Sequence, residues 1–231
     1  MLLTVSVSFS QIKLDKNKLK KAIPSVGSKP AGLTNDEVIQ GLKEALTVGT
    51  NNSSGKASQT DGYNANPLIH IPFPSEAQKM ENSLRGLGMN KQVDDFILTL
   101  NRAAEEAAKE AAPVFIAAVK GMSIGDGFAI LKGADTAATH YLKDKTTAEL
   151  KANFKPKVAA AIEKVKLTSY WNPLVTRYNK IPMVTKVNPD LEEYVTLKAI
   201  EGLFKLVAEE EAKIRKDPAA RVSDILKKVF G

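Results

Sequence analysis

The sequence predicts an all-α protein: a single multi-helix, bundle-like domain with a short extended segment near 67–74. Three observations carry that reading. Apolar residues recur at helical spacing, as in Val38, Ile39, Leu42, Ala45 and Leu46, and no stretch after residue 75 alternates as a strand would. Start signals precede such runs at Thr34-Asn35-Asp36-Glu37, Ser123-Ile124-Gly125-Asp126 and Thr146-Thr147-Ala148-Glu149, where a hydroxyl and a carboxylate can satisfy the free N–H groups of a first turn. Proline and glycine punctuate the joints between runs.

Met1 to Ser10, MLLTVSVSFS, is apolar and ends with small residues at Ser8 and Ser10, the spacing a signal peptidase needs. It is read as a signal-peptide remnant, which predicts an exported, periplasmic or otherwise extracytoplasmic protein. The basic start of such a peptide is missing, and the alternative is a short β-like arm. Residues 11–32 form a basic leader, in which Lys13, Lys16, Lys18, Lys20 and Lys21 either touch an anionic envelope surface or stay solvated. Residues 33–231 are the expected helical domain.

Its first helix is expected from the Thr34 box to Gly49, with a polar Gly/Ser/Asn surface loop over 50–66 after it. Three prolines keep 67–74 out of a helix, with Ile69, Ile71 and Phe73 facing inward and His70 away from the core. Ser75 caps a helix that turns Ala77, Met80, Leu84 and Leu87 inward and closes at Gly88. Further helices are expected over 90–112 and from Val114, Ser123, Asp135 and Thr146, with Thr168 capping a piece that bears Trp171 and Tyr178. Asn188-Pro189 opens what should be the longest helix, reaching Lys216, and Asp217-Pro218 starts a short terminal one. The helices over 90–112 and 189–216 should pack on each other at the centre.

Composition excludes several chemistries. There is no cysteine, which removes disulfides, thiol catalysis and Cys-ligated zinc. Two histidines, His70 and His140, are too few for a His-rich metal site or a Ser-His-Asp triad. No phosphate-cradling glycine motif and no EF-hand loop occur. Lys plus Arg number 33 against 26 acids, a net charge of +7, which suits anionic partners in general. The basic residues are scattered over many helices and do not interleave with aromatics, so no nucleic-acid partner is expected. No apolar run approaches the ~18 residues that span a bilayer. The run Glu209-Glu210-Glu211 with Lys213 and Arg215 reads as the ion-pair pattern of a solvated helix.

The richest polar pattern lies in QVDDFILTLNRAAEEAAKEAA. Beside an apolar face of Val93, Phe96, Ile97, Leu100, Ala104, Ala107 and Ala111, the side chains of Asp94, Asn101 and Glu105 share one stripe, and Asp95 and Arg102 share the next. The alanines let a neighbouring helix approach and draw these groups into partial burial. Two arrangements fit: a network in which Arg102 bridges carboxylates, and a ligand or cation site built from inward carboxylates. An all-oxygen set, joined by Asp126 or Asp135, would suit calcium, whereas Arg102 would repel it.

The segments QVDDFILTLNRAAEEAA (92–108), GMSIGDGFAILKGADTAATHYLKDKT (121–146) and AEEEAKIRKDPAARVSDILKKVF (208–230) resemble the bacterial family catalogued as domain of unknown function 4197. The resemblance runs from about Leu33 to Gly231 and implies export, since members usually carry an export signal; it supplies no catalytic residues. It marks Asp94, Asp95, Asn101, Arg102, Glu105, Asp126, Asp135 and Arg221 as matching the family pattern. Val222-Ser223 departs from the two threonines common there, and the 50–66 segment is longer. The expected function is a non-enzymatic binding or structural module of the cell envelope with no cofactor. The alternatives are an enzyme using Asp and Glu side chains and a calcium-binding protein.

Overall fold

The computed structural model describes residues 34–86, 88–164 and 190–217, with scattered positions between 171 and 188 and at 224, 227 and 229. Among the described residues there are seven α-helices and no strand: α1 (Asn35–Ser58), α2 (Gln78–Gly86), α3 (Asn90–Ala108), α4 (Ala111–Lys120), α5 (Ile124–Lys132), α6 (Ala137–Lys164) and α7 (Leu191–Lys216). A 3₁₀ turn at Ser75–Ala77 leads into α2. The signal-remnant reading, the leader lysines, Leu87, the Thr168 cap with Tyr178 and Arg221 to Ser223 lie outside the described residues, as does most of the segment after Asp217-Pro218, of which 224, 227 and 229 are helical.

The fold is all-helical, as the apolar periodicity requires. Two of the three expected capping boxes form: Thr34 Oγ accepts from Glu37 N while the Glu37 carboxylate accepts from Thr34 N, and Ser123 and Asp126 do the same for α5. α6 and α7 pack along each other, α3 lies against both, and α1 covers α7, α4 and α3. One continuous core joins them, with Leu100, Leu142, Leu150, Phe154 and Leu203 sealed from solvent. Packing of α3 on α7 matches the expectation for 90–112 and 189–216.

Several boundaries differ from the sequence reading: Ser75 makes no side-chain cap, α2 ends at Gly86, α6 starts at Ala137, and Asp190 caps α7. The larger differences have physical reasons. The expected loop over 50–66 is largely helix: α1 runs past Gly49 to Ser58, burying Thr50, Ser53, Ser54 and Ala57. These small residues let α1 approach α7, and Thr50 and Ser53 return their hydroxyls to the carbonyls of Leu46 and Gly49. The helix opened by Asn90 ends at Ala108, and α4 starts at Ala111, which places Pro113 in a first turn where its missing N–H leaves no bond unmade. Thr146 and Thr147 cap nothing; their hydroxyls donate to Leu142 O and Lys143 O, and α6 runs straight through them. α6, at 28 residues, is therefore longer than α7, at 26.

After α1 the chain enters a non-helical connector over 59–74. A turn at 67–69 is closed by Ile69 N and His70 N donating to Asn66 O, beyond which the chain runs open to Pro74. Ile69, Ile71 and Phe73 are buried as expected, and Phe73 joins Phe96 and Trp171 in an aromatic cluster with ring centroids 4.9–5.7 Å apart. Tyr63 is fully buried against α7, its hydroxyl donating to Ala199 O at 2.6 Å.

Gly202 on α7 makes that contact possible: a Cβ there would lie 2.9 Å from Tyr63 Cε1 and 3.0 Å from Ile69 Cβ. Because the phenol is tethered at both ends, Gly202→Ala should destabilise the protein by about 1–2 kcal/mol, even after the gain in helix propensity. A Cβ at Gly127 would meet the Ile39 Cδ1 methyl at 2.3 Å, the far end of a flexible chain. Gly127→Ala should accordingly stay within about 1 kcal/mol of the parent, because propensity offsets the local shift. Urea unfolding of both variants checks the ranking, and equal losses would contradict it.

Candidate functional site

The polar stripe of α3 does converge on something, and the partner is the connector. Asn101, sealed from solvent, clamps Ile71 like a paired strand: Ile71 N donates to Asn101 Oδ1 and Asn101 Nδ2 donates to Ile71 O, both at 2.8 Å. Nδ2 also reaches Ile97 O. One turn on, Glu105 Oε1 accepts from the successive amides of Tyr63 and Asn64 at 3.1 and 3.2 Å. Its other oxygen takes Arg102 Nη1 at 2.6 Å, and Arg102 Nη2 reaches Asp61 Oδ1 at 2.8 Å.

The burial of these groups differs. The Glu105 side chain is 6 % exposed, whereas those of Arg102 and Asp61 are 38 % and 48 %. Arg102 is thus a lid over a buried carboxylate, and its guanidinium keeps access to water. Hydrogen bonds from Asn64 and then Arg102 hold the Asp61 carboxyl below its usual range, and Glu105 raises the Arg102 guanidinium. Burial, with the Glu105 charge adding, pushes the Tyr63 phenol up, so it stays a neutral donor to Ala199 O. Asp61 itself sits at φ 66°, a left-handed conformation that short polar side chains tolerate. His70 is half-buried, with Nδ1 bonded to Asn64 O, and braces the same turn.

The other expected residues are elsewhere. Asp94 and Asp95 are exposed and pair with Arg85 and Lys91. Asp126 accepts from the Ser123 hydroxyl and amide, bonds that hold its carboxyl low. Asp135 is exposed, 3.1 Å from Lys216. Sharing a helical stripe with Asn101 does not bury Asp94, because the connector crosses α3 nearer its C-terminal half. Among the described residues no three His, Asp or Glu side chains gather as a cation-binding group.

A second polar cluster was not expected from the sequence. Glu210 and Glu211 are buried, which corrects the reading of 209–211 as a solvated face. Glu211 accepts from Ala138 N, Thr139 N and the Thr139 hydroxyl, so a side chain of α7 caps the start of α6. Arg215 donates to Glu211 and to Ile130 O, binding the end of α5 to the same point. The adjoining crevice, lined by Leu42, Leu46, Ile130, Glu211 and Arg215 among others, holds about 20 Å³, room for one water and no substrate. Burial alone would raise the Glu210 carboxyl, but hydrogen bonds from Lys213, Lys56 and Asn52 prevail and bring it down to about 2. The local sign of this cluster is the i+3 and i+4 charge pattern, since the Glu211 partners on α6 lie more than seventy residues away in the chain.

Unfolding measurements separate these roles. Asn101→Ala strands a buried donor and a buried acceptor on Ile71 and should cost about 2–4 kcal/mol in urea unfolding. Arg102→Ala should cost only about 1–2 kcal/mol, because the backbone amides still hold Glu105 and the lost pair is half exposed. Asp94→Asn should be near neutral. For Glu210, a carboxyl depressed when folded adds stability that is present above its unfolded pKa of about 4.3 and is lost as pH falls toward 2. Stability should therefore drop across that window and drop less in Glu210→Gln; parallel pH profiles would contradict the placement.

No curated protein and no solved structure matches the chain. The model of the family described as "Protein of unknown function (DUF4197)" matches residues 32–231, and the chain belongs to that family.

Proposed function

We propose that the protein is an exported, non-enzymatic module of the bacterial cell envelope, acting by binding or supporting other envelope components. The observation that carries this is the state of the buried carboxylates. Glu105, Glu210 and Glu211 are each enclosed and each engaged by N–H groups of the protein itself: Tyr63, Asn64 and Arg102; Lys56, Lys213 and Asn52; Ala138, Thr139 and Arg215. A general acid or base needs a lone pair or a proton within reach of a substrate, and a calcium site needs several oxygens turned to one point. Here the oxygens are turned to backbone amides and cations, which is what a rigid scaffold requires. Export is supported by the apolar Met1–Ser10 run with its small residues at Ser8 and Ser10.

Two experiments test the two halves. A cation that binds only the folded state stabilises it by about 2.7 kcal/mol at a hundredfold excess over Kd. Thermal melts in millimolar calcium and in chelator should superimpose; a clear separation would replace the scaffold reading with a calcium protein. In the native host, fractionation should place the protein outside the cytoplasm with its N-terminus near Gln11. A cytoplasmic chain retaining Met1 would overturn the envelope assignment.

A further inference from the structure

We infer that the elbow formed by α4 and α5 is a docking surface for an anionic lipid bilayer. Composition and position both mark it out. Between Ala111 and Gly133 a chain that is 26 % charged carries one acid, Asp126, and two lysines, Lys120 and Lys132. α5 buries Gly127 and Ile130 against α1, so a soluble helix would turn a charged face outward. It turns apolar residues outward instead: Ile124 is 50 % exposed, Ala129 is exposed, and Phe128 is half-buried. Ala117 and Pro113 add exposed apolar positions on α4.

Charge selects the occupant. The single acid of that stretch is turned into the Ser123 cap, its Oδ2 accepting from both the Ser123 amide and hydroxyl. The cations are set around the elbow. Lys43 Nζ donates to Lys120 O at 2.9 Å, which brings its ammonium to the end of α4 where Lys120 is exposed. Lys132 Nζ lies 5.8 Å from the centroid of the Phe128 ring on the outward face. Lys145 stands 5.9 Å from the centroid of the Tyr141 ring, whose hydroxyl reaches Ala118 O at 3.5 Å. An apolar patch rimmed by lysines, with its acid turned aside, matches the acyl boundary and the anionic headgroups of a bilayer surface. A second copy of the chain would bring lysines against lysines at the same rim. Among the described residues no single helix is long and apolar enough to cross a membrane, and Asn90–Lys120 with Ile124–Lys132 reaches that length and composition as a pair bent by 105°.

Bilayer docking would give the envelope reading a physical contact, yet it stands on purified protein and does not depend on whether the chain is exported. The test is cosedimentation of the full chain with vesicles of phosphatidylcholine mixed with phosphatidylglycerol, against phosphatidylcholine alone. Binding to the anionic vesicles, weakened by salt, is expected. Ile124→Asp, at a first-turn position where an acid suits the helix, should lower partitioning by about tenfold without moving the thermal melt. Lys120→Gln with Lys132→Gln should lower it by about fivefold per lysine. Absence of binding overturns the proposal, and so does binding that both variants retain, which would assign it to the leader lysines. Light scattering that finds a dimer split by Ile124→Asp would assign the face to a second copy and equally overturn it.

Discussion

The molecule depends on how α3 holds a stretch of backbone that cannot hold itself. The connector over 59–74 contains Pro67, Pro72 and Pro74, so neither a helix nor a sheet ladder is open to it. Its Ile69, Ile71 and Phe73 are nevertheless core residues, which drags their peptide groups out of water with them. A buried amide or carbonyl without a partner costs about 1–3 kcal/mol. Asn101 removes that cost at Ile71 by presenting a carboxamide in the geometry of a neighbouring peptide, and Glu105 removes it at Tyr63 and Asn64. Once these are fixed, Tyr63 can lie in the space left by Gly202 and Phe73 can reach the Trp171 ring. Asn179 repeats the device at a distance, exchanging both hydrogen bonds with the Val187 backbone.

The parts of this fold legible in the sequence are those whose cause is local. The Thr34 and Ser123 boxes close within four residues, and both are plain in the chain itself. The 67–74 segment was readable because proline forbids the alternative. The stripe on α3 was visible as a periodicity, but which of its members become buried is decided by the path of the connector. Hence Asn101 and Glu105 are enclosed while Asp94, on the same stripe, is left in solvent beside Arg85.

The failures have one physical form: polar residues that pack. Residues 50–58 looked like a loop because they are mostly Thr, Asn, Ser, Gly and Lys. Their spacing was helical all along, with Gly49, Thr50, Ser53 and Ala57 on one buried face. Hydroxyls that bond back to the preceding turn behave as small nonpolar groups toward a neighbouring helix, so their polarity says little about exposure. Glu210 and Glu211 belong to the same form: their i+3 and i+4 pairs with Lys213 and Arg215 are real, yet both acids are buried. What buries them is a partner remote in sequence, the start of α6 for Glu211 and Lys56 with Asn52 for Glu210.

The same physics bears on where function resides. In this protein the deeply buried charges are joints: Glu211 ties three helices at one point, and Glu105 ties α3 to the connector. A joint of this kind resists substitution because each removal leaves several donors stranded, and it is therefore a poor place to seek chemistry from pattern alone. Function is better sought where the rules of a soluble surface are broken without any internal compensation. Buried carboxylates here are compensated by their neighbours. The exposed apolar side chains of the elbow between α4 and α5 have no such compensation among the described residues, and Ile124 presents half its surface to water. An energetic cost left standing on the outside of a fold whose buried charges are so fully paired points outward, to whatever the elbow meets.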